Sequence, residues 1–220
     1  MGITIFEDSY RHKGLRRKLI EELRRKGIRD ERVLNAFDKV PRHLFMDSSF
    51  VEFAYQDKAF PIAAGQTISQ PYTVAFMTEL LNITPLDKVF EVGTGSGYQT
   101  AILSELGAKV YTIERQKDLF QSCQHLLKML GYNPLYFFGD GYLGKPSYAP
   151  YDKIIVTAGA PEIPKDLIAQ LAIGGRMVIP IGTSDLQVMT TLDRISPTQV
   201  DIHEHGNFVF VPMLKGTNNR

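Results

Sequence analysis

Hydrophobic and polar positions along the chain change their period near residue 88. Before it, apolar residues recur at helical spacing; after it, short apolar runs alternate with amphipathic segments. Leu15, Leu19 and Leu23 repeat every four residues, while Arg16, Arg17, Arg24 and Arg25 fall elsewhere. This predicts a helix that Gly27 stops. A second helix is expected from Arg29-Asp30 through Val33, Leu34 and Phe37 to Val40, where Pro41 ends it. After an irregular stretch a third starts at Pro71, suited to a first helical turn, and turns Val74, Met77, Leu80 and Leu81 inward.

From Lys88 onward, strands are predicted at 88–92, 108–113, 134–138, 152–157, 175–181, 187–194 and 205–211, and helices at 97–106, 116–130 and 164–171. Such alternation implies an α/β fold, a doubly wound, Rossmann-like, seven-stranded and mostly parallel sheet with helices on both faces. Only Ile195-Ser-Pro-Thr and its flanks separate the last two strands, too little for a crossover helix, so these should pair antiparallel. With no linker or repeat, 1–220 is expected to form one domain, with 1–82 a helical extension and 83–220 the α/β core.

Composition narrows the class. The chain has 220 residues, 44% hydrophobic and 22% charged, and no apolar run near the length of a membrane span. Met1-Gly-Ile-Thr-Ile-Phe-Glu-Asp8 lacks the basic start and apolar core of a secretory signal, so a cytoplasmic location is expected. The single cysteine, Cys123, excludes an internal disulfide and a multi-thiolate metal site in a monomer. A net charge of +1 argues against a nucleic-acid partner. The basic stretch from Arg11 to Arg32 lacks interleaved aromatics for stacking bases and reads as a solvated helix.

The candidate chemistry centres on Glu91-Val-Gly93-Thr94-Gly95-Ser-Gly97, entered from Lys88-Val-Phe90. Three alternating glycines between a strand and a helix let the backbone turn sharply and approach a ligand. Glu114 closes the next strand, about twenty residues on, where a carboxylate can accept from ribose hydroxyls. NAD and S-adenosylmethionine both fit so far. A P-loop does not, because no Gly-Lys-Ser/Thr follows. Three details favour S-adenosylmethionine: the Gly-x-Gly-x-Gly spacing, Glu91 at the end of the first strand, and Gly139-Asp140-Gly141 after the third. A carboxylate attracts a sulfonium or amino group and repels a pyrophosphate, and Asp140 could accept from an adenine amino group.

Over nearly its whole length the chain resembles the protein-L-isoaspartate O-methyltransferases, a repair family within the class I S-adenosylmethionine-dependent methyltransferases. The segments that carry the likeness include Val40-Pro-Arg-His-Leu-Phe45, Gly65-Gln-Thr-Ile-Ser-Gln-Pro71, the glycine loop, Gly139-Asp-Gly141, Ile154-Ile-Val-Thr-Ala158, Gly174-Gly-Arg-Met-Val-Ile-Pro180 and Phe210-Val-Pro212. Gly65 to Pro71 is highly specific to that family. The resemblance implies methyl transfer from S-adenosyl-L-methionine, leaving S-adenosyl-L-homocysteine, to the α-carboxylate of L-isoaspartyl residues in damaged proteins and peptides. It also implies Ser69 as the functional residue. Cofactor contacts would come from Glu91, Gly93, Thr94, Gly95, Gly97, Glu114, Asp140 and Gly141, and substrate contacts from Ala64, Thr67, Ile68, Ser69 and Val211. Ala63-Ala64 departs from the glycine followed by a varied residue that many members carry.

A carboxylate acceptor is already ionised at pH 7, so no base has to remove a proton. Ser69 is therefore expected to be a positioning donor, not a nucleophile. Thr157 ends the fourth strand and is expected to face the substrate or methionine. His203 and His205 share a strand face but lack a third ligand, and no metal is expected. A nucleic-acid methyltransferase is the nearest rival, but Val156-Thr-Ala-Gly-Ala160 stands where amino-methylating members carry the motif that stacks a flipped base. The glycine spacing disfavours a nicotinamide dehydrogenase, and the retained loop around Ser69 disfavours a non-catalytic sensor. A monomer is expected, since action on exposed loops of other proteins needs an open cleft.

Overall fold

A computed structural model describes residues 7–183 and 185–219; Met1 to Phe6, where a leader was sought, lie outside them. The chain opens with α1 (Tyr10–Arg25) and α2 (Glu31–Lys39). Ser9 caps α1 by accepting from the His12 N–H at 3.3 Å, and Asp30 caps α2 by accepting from the Arg32 N–H at 2.8 Å. Pro41 holds Val40 extended, at φ −88° and ψ 112°, so α2 stops there. Next come two 3-10 turns, Arg42–Phe45 and Ser48–Phe53. A small antiparallel pair, β1 (Phe60–Pro61) with β2 (Thr67–Ile68), encloses the loop through Ala64. Helix α3 (Pro71–Leu81) has Pro71 in its first turn and ends on Asn82 in the left-handed region, at φ 49°.

The rest forms the sheet and its helices: β3 (Lys88–Val92), α4 (Tyr98–Glu105), β4 (Lys109–Glu114), α5 (Lys117–Met129), β5 (Leu135–Phe138), β6 (Tyr151–Val156), α6 (Lys165–Gln170), β7 (Leu171–Gly182), β8 (Gln187–Arg194) and β9 (Val200–Phe208). The order across the sheet is β5-β4-β3-β6-β7-β8-β9. The first five of these are parallel, and β8 and β9 are antiparallel additions at one edge. The chain therefore switches direction across the sheet between β3 and β6, where a doubly wound fold opens its crevice.

Alternate strand residues feed opposite faces. Phe90, Ile154, Val156, Met177 and Ile179 pack with Leu167 of α6 on one side. Val89, Ile155 and Val178 pack with Met77 and Leu81 of α3 and Leu103 of α4 on the other. The N-terminal helices share a third apolar cluster with Tyr98, Ala101 and Ile102 of α4 and Leu127 of α5. By area, each fully buried Leu, Ile or Phe here contributes roughly 1.5–3 kcal/mol.

Two predicted strand boundaries are corrected. β7 begins at Leu171, ahead of the expected 175, because Leu171 already pairs with Tyr151; the register then shifts before Arg176 pairs with Lys153. The last strand is Val200–Phe208 and not 205–211. The apolar run Phe208-Val-Phe-Val211 attracts a strand prediction, but pairing of Arg194 with Val200 and Gln187 with Phe208 fixes the strand earlier. β9 is an edge strand of largely solvated polar residues, which hides its period. Phe210 leaves the sheet, donates its N–H to Gln187 Oε1 at 2.7 Å and turns into the core.

Candidate active site

The carboxyl ends of β3, β4 and β6 meet over one cavity. Gly93, Thr94, Gly95 and Ser96 line one wall, Ile113 and Glu114 another, and Thr67, Ile68, Ser69 and Val211 close the far side. Gly93 and Gly95 adopt φ of 95° and 54°, conformations that disfavour other residues. A Cβ on Gly93 would stand 2.5 Å from Thr157 Oγ1, whereas one on Gly95 would meet only Ile62 Cδ1, at 3.8 Å. Gly93 thus makes room for protein, and Gly95 leaves its face open to the cavity. Gly97, at φ 88°, begins α4 away from the cavity lining, where a Cβ would press Leu127 Cδ1 at 2.8 Å. Gly141 does line the cavity, and a Cβ there would sit 2.4 Å from Val92 Cγ1.

The three acids expected at the cofactor are placed differently from one another. Glu114 lines the cavity with its carboxylate held by the N–H groups of Gly95 at 2.9 Å and Gln116 at 2.8 Å. A carboxylate has about four acceptor positions, so Glu114 retains capacity for ribose hydroxyls. Glu91 is fully buried and does not line the cavity. Its Oε2 accepts from Thr100 Oγ1 at 2.5 Å and Thr112 Oγ1 at 2.7 Å, while Oε1 has no partner. Burial, opposed by those two hydroxyls, pushes its carboxyl up to about 8. Thr94 Oγ1, 2.6 Å from Thr112 Oγ1, extends this network to the glycine loop. Glu91 therefore acts on the loop from behind: it faces α4, not the cavity. Asp140 also lies outside the lining, because it receives the N–H groups of Tyr142 at 2.8 Å and Gly216 at 2.6 Å. It fastens the C-terminal segment through these two amides, and its carboxylate keeps acceptor positions for the expected adenine contact.

On the far side, Ser69 is half-buried, and its hydroxyl has no hydrogen-bond partner among the described residues. Its carbonyl is fixed by Arg42, which is fully buried and donates from Nη1 to Ser69 O at 3.0 Å, from Nε to Ala54 O at 3.0 Å and from Nη2 to Lys58 O at 3.1 Å. The guanidinium also lies 5.2 Å from the Tyr98 ring centroid. Burial pulls Arg42 down to about 10, which still leaves it charged at neutral pH. Ala64 is exposed at φ 57° and lies outside the cavity lining, on the tip of the β1–β2 loop. Thr157 lines the cavity, but its hydroxyl is directed to the carbonyls of Gly93 at 2.8 Å and Val92 at 3.1 Å, so it braces the loop from the end of β6.

Sequence reasoning missed Arg42 as a site residue, although it stands inside the segment Val40 to Phe45. It also missed Met213 and Leu214, which line the cavity from a C-terminal strap. The strap is secured by Met213 N–H to Gly159 O at 2.7 Å, Asn218 N–H to Arg115 O at 2.8 Å and Lys117 N–H to Asn218 O at 3.0 Å. No local period marks it. His205 Nε2 lies 2.8 Å from Thr191 Oγ1, and neither it nor His203 belongs to a three-ligand group among the described residues. Asp8, His12 and His43 do bring ligand atoms within 4.8 Å of one another. However, Arg16 occupies both Asp8 oxygens at 3.0 and 2.9 Å, and the Glu7 carbonyl lies 3.1 Å from His12 Nδ1 and 3.2 Å from His43 Nε2. A fixed guanidinium opposes a cation there.

Comparison with known proteins adds to the geometry. The model of the protein-L-isoaspartate(D-aspartate) O-methyltransferase family matches residues 14–218. A protein-L-isoaspartate O-methyltransferase of Christiangramia forsetii is 62% identical over 213 residues, covering 96% of this chain and 100% of that protein. One of Dictyoglomus thermophilum is 54% identical over 210 residues, covering 94% and 93%. Among solved structures, a protein-L-isoaspartate O-methyltransferase aligns with TM-score 0.83 at 28% identity, over 93% of this chain and 67% of that one. A Plasmodium falciparum protein described as a putative member, in complex with S-adenosyl-L-homocysteine, aligns with TM-score 0.79 at 27% identity, over 93% and 99%.

Two expectations follow from the buried ionisable groups. Arg42→Met would leave three carbonyls without their donor and cost more than about 3 kcal/mol; Arg42→Lys keeps a charge but not the planar fork and recovers only part of that. Urea unfolding measures both, and a wild-type midpoint for Arg42→Met contradicts the assignment. For Glu91, a folded value of about 8 against the ordinary 4.5 means the folded state keeps a proton that the unfolded state releases in that window. Stability is therefore lost as pH rises through it. Relative to Glu91→Gln, the wild-type melting temperature should fall from about pH 5 to about pH 8, and a difference that does not vary with pH would sink the idea.

Proposed function

The chain belongs to the protein-L-isoaspartate(D-aspartate) O-methyltransferase family, and we infer from this that it methylates the α-carboxylate of L-isoaspartyl residues in damaged proteins and peptides. The observation that carries this reading is the meeting of two cavities at one wall. The cavity over the glycine loop and a wider groove beside it share Thr67, Ser69, Thr157 and Val211. A donor held on one side and an acceptor on the other would meet at Ser69.

The residues present fit S-adenosyl-L-methionine. Gly95 offers a face without a side chain, Glu114 an acidic acceptor at the end of β4, and Ile113, Val74, Met77 and Met213 apolar walls. When bound, the cofactor supplies a methyl on a sulfonium, whose C–S bonding pair leaves on sulfur as S-adenosyl-L-homocysteine while a carboxylate oxygen forms the new C–O bond. No proton changes hands, because the acceptor is ionised at pH 7. Without enzymatic help the backbone amide nitrogen then displaces methanol from the ester to close a succinimide, which water reopens partly to L-aspartate.

The work left to the protein is positioning and exclusion of water. We assign Ser69 Oγ as the donor that orients the acceptor carboxylate, supported by its hydroxyl at the shared wall, which has no partner among the described residues, and by the Arg42 bond that fixes its backbone. Thr67, Ile68 and Val211 shape the acceptor side, and Ala64 contributes through the exposed tip of its loop. Gly93, Thr94, Gly95, Glu114 and Gly141 hold the cofactor, with Gly97, Glu91 and Asp140 supporting them from outside the cavity. The N-terminal helices and the α/β core are proposed to act as one domain, supported by the apolar cluster they share. A monomer acting in the cytoplasm, without a nucleic-acid partner, completes the proposal. It draws on the near-neutral charge and single cysteine; among the described residues no helix is long and apolar enough to cross a membrane.

The test is transfer of labelled methyl to one peptide carrying either isoaspartate or aspartate at the same position. Base-labile label in the isoaspartyl form alone is expected, and label in neither form rejects the activity. Ser69→Ala should lower turnover about 10- to 100-fold, the worth of one hydrogen bond to a charged group, with cofactor affinity by calorimetry nearly unchanged. Equal turnover in both proteins would remove Ser69 from its role.

A further inference from the structure

The groove on the acceptor side is larger than an isoaspartyl carboxylate requires. It measures about 880 Å³ and runs from Ser69 and Val211 out to β9. Its far wall is a triangular cluster of three half-buried aromatic rings, Tyr72 and Phe76 of α3 and Phe208 of β9, with Tyr72 and Phe208 also 6.5 Å apart. Their centroids lie 5.7 Å apart for Tyr72 and Phe76, and 5.4 Å for Phe76 and Phe208, with interplanar angles of 23° and 26°. Val209, 73% exposed, stands at the rim. Among the described residues lining the groove there is no carboxylate, lysine or arginine. His205 also lines it, and burial holds this imidazole below its ordinary value, so it is neutral at pH 7.

Half-exposed aromatic rings in a groove with no charged lining residue are costly to leave in water and offer apolar area, the nearby charge being Lys26 Nζ, 6.0 Å from the Tyr72 ring centroid. The groove is also continuous with the site at which the acceptor must sit, through Thr67, Ser69, Thr157 and Val211. A peptide whose isoaspartyl carboxylate lies at Ser69 must send its neighbouring residues along one side or the other, and this is a side with room. We propose that the Tyr72–Phe76–Phe208 wall is a subsite for an apolar, preferentially aromatic, side chain flanking the isoaspartyl residue in the substrate chain. This rests on the methyltransfer reading above. It makes the enzyme selective among damaged sites, favouring isoaspartate beside buried-type residues over isoaspartate in acidic or glycine-rich loops.

The experiment compares isoaspartyl peptides that differ only in the residue before or after isoaspartate, with Gly, Phe or Asp at that place. Burying part of one ring is worth roughly 1–2 kcal/mol, so kcat/KM for Phe over Gly should rise about 10-fold at one of the two flanks, mainly through KM, with Asp at or below Gly. In Phe208→Ala the Phe-to-Gly ratio should fall to about 3-fold or less. The ratio, not the absolute rate, is the readout, so a partly destabilised variant remains informative. Val209→Lys, at an exposed position that folding tolerates, should lower the Phe preference and raise acceptance of Asp. A wild-type ratio near one at both flanks overturns the subsite, and an undiminished ratio in both variants overturns its location. Absence of methylation even with the Gly-flanked peptide would instead reject the underlying activity.

Discussion

The buried guanidinium of Arg42 is the constraint on which the acceptor side of this enzyme depends. Segments near Ala54, Lys58 and Ser69 have little regular structure of their own and would have to find partners for their carbonyls. One rigid fork supplies all three, and the face of Tyr98, the first residue of α4, supplies the remaining contact. A charge taken out of water this completely is stable only when each of its nitrogens finds an acceptor, so the loop cannot drift without exposing a large penalty. The same group therefore links the glycine loop, through the start of α4, to the residue that would orient the acceptor.

The acids around the cofactor cavity show how little of a preorganised site is made of groups that touch the ligand. Glu114 spends part of its capacity on the N–H of Gly95 and so sets the loop in advance of any ligand. Glu91, neutral at physiological pH by burial, gathers the hydroxyls of Thr100 and Thr112, and Thr94 joins them. Asp140 ties down the strap at Gly216. Dipoles and acceptors fixed in this way cost no reorganisation during the transfer, which suits a reaction with no proton to move.

The antiparallel end of the sheet serves the same purpose. β8 and β9 carry the chain out to the sheet edge, and the return through Phe208 to Leu214 passes over the crevice, so a segment remote in sequence walls both cavities. Gln187 at the start of β8 fixes the turn by accepting from Phe210 N–H. The groove and the cofactor cavity thereby share Val211, and the acceptor's surroundings are set by the same residues that close the donor's.

What the sequence determined by itself is what depends on local period and local sterics. The helix Pro71–Leu81, the strands Lys88–Val92 and Gln187–Arg194, the parallel order of an alternating α/β chain and the turn of the glycine loop all follow from neighbours a few residues apart. The positions that depend on partners distant in the chain were decided only by the tertiary structure. The frame of β9 came from pairing with β8 against a misleading apolar run, and the placement of Glu91 and Asp140 came from the hydroxyls and amides that folding brought to them. Arg42 was readable as part of a resemblance but not as a clamp, because the three carbonyls it holds are 12, 16 and 27 residues away and carry no side-chain signature. A carboxylate or guanidinium has its chemistry written in the sequence; which groups satisfy it once water is removed is a property of the packed interior alone.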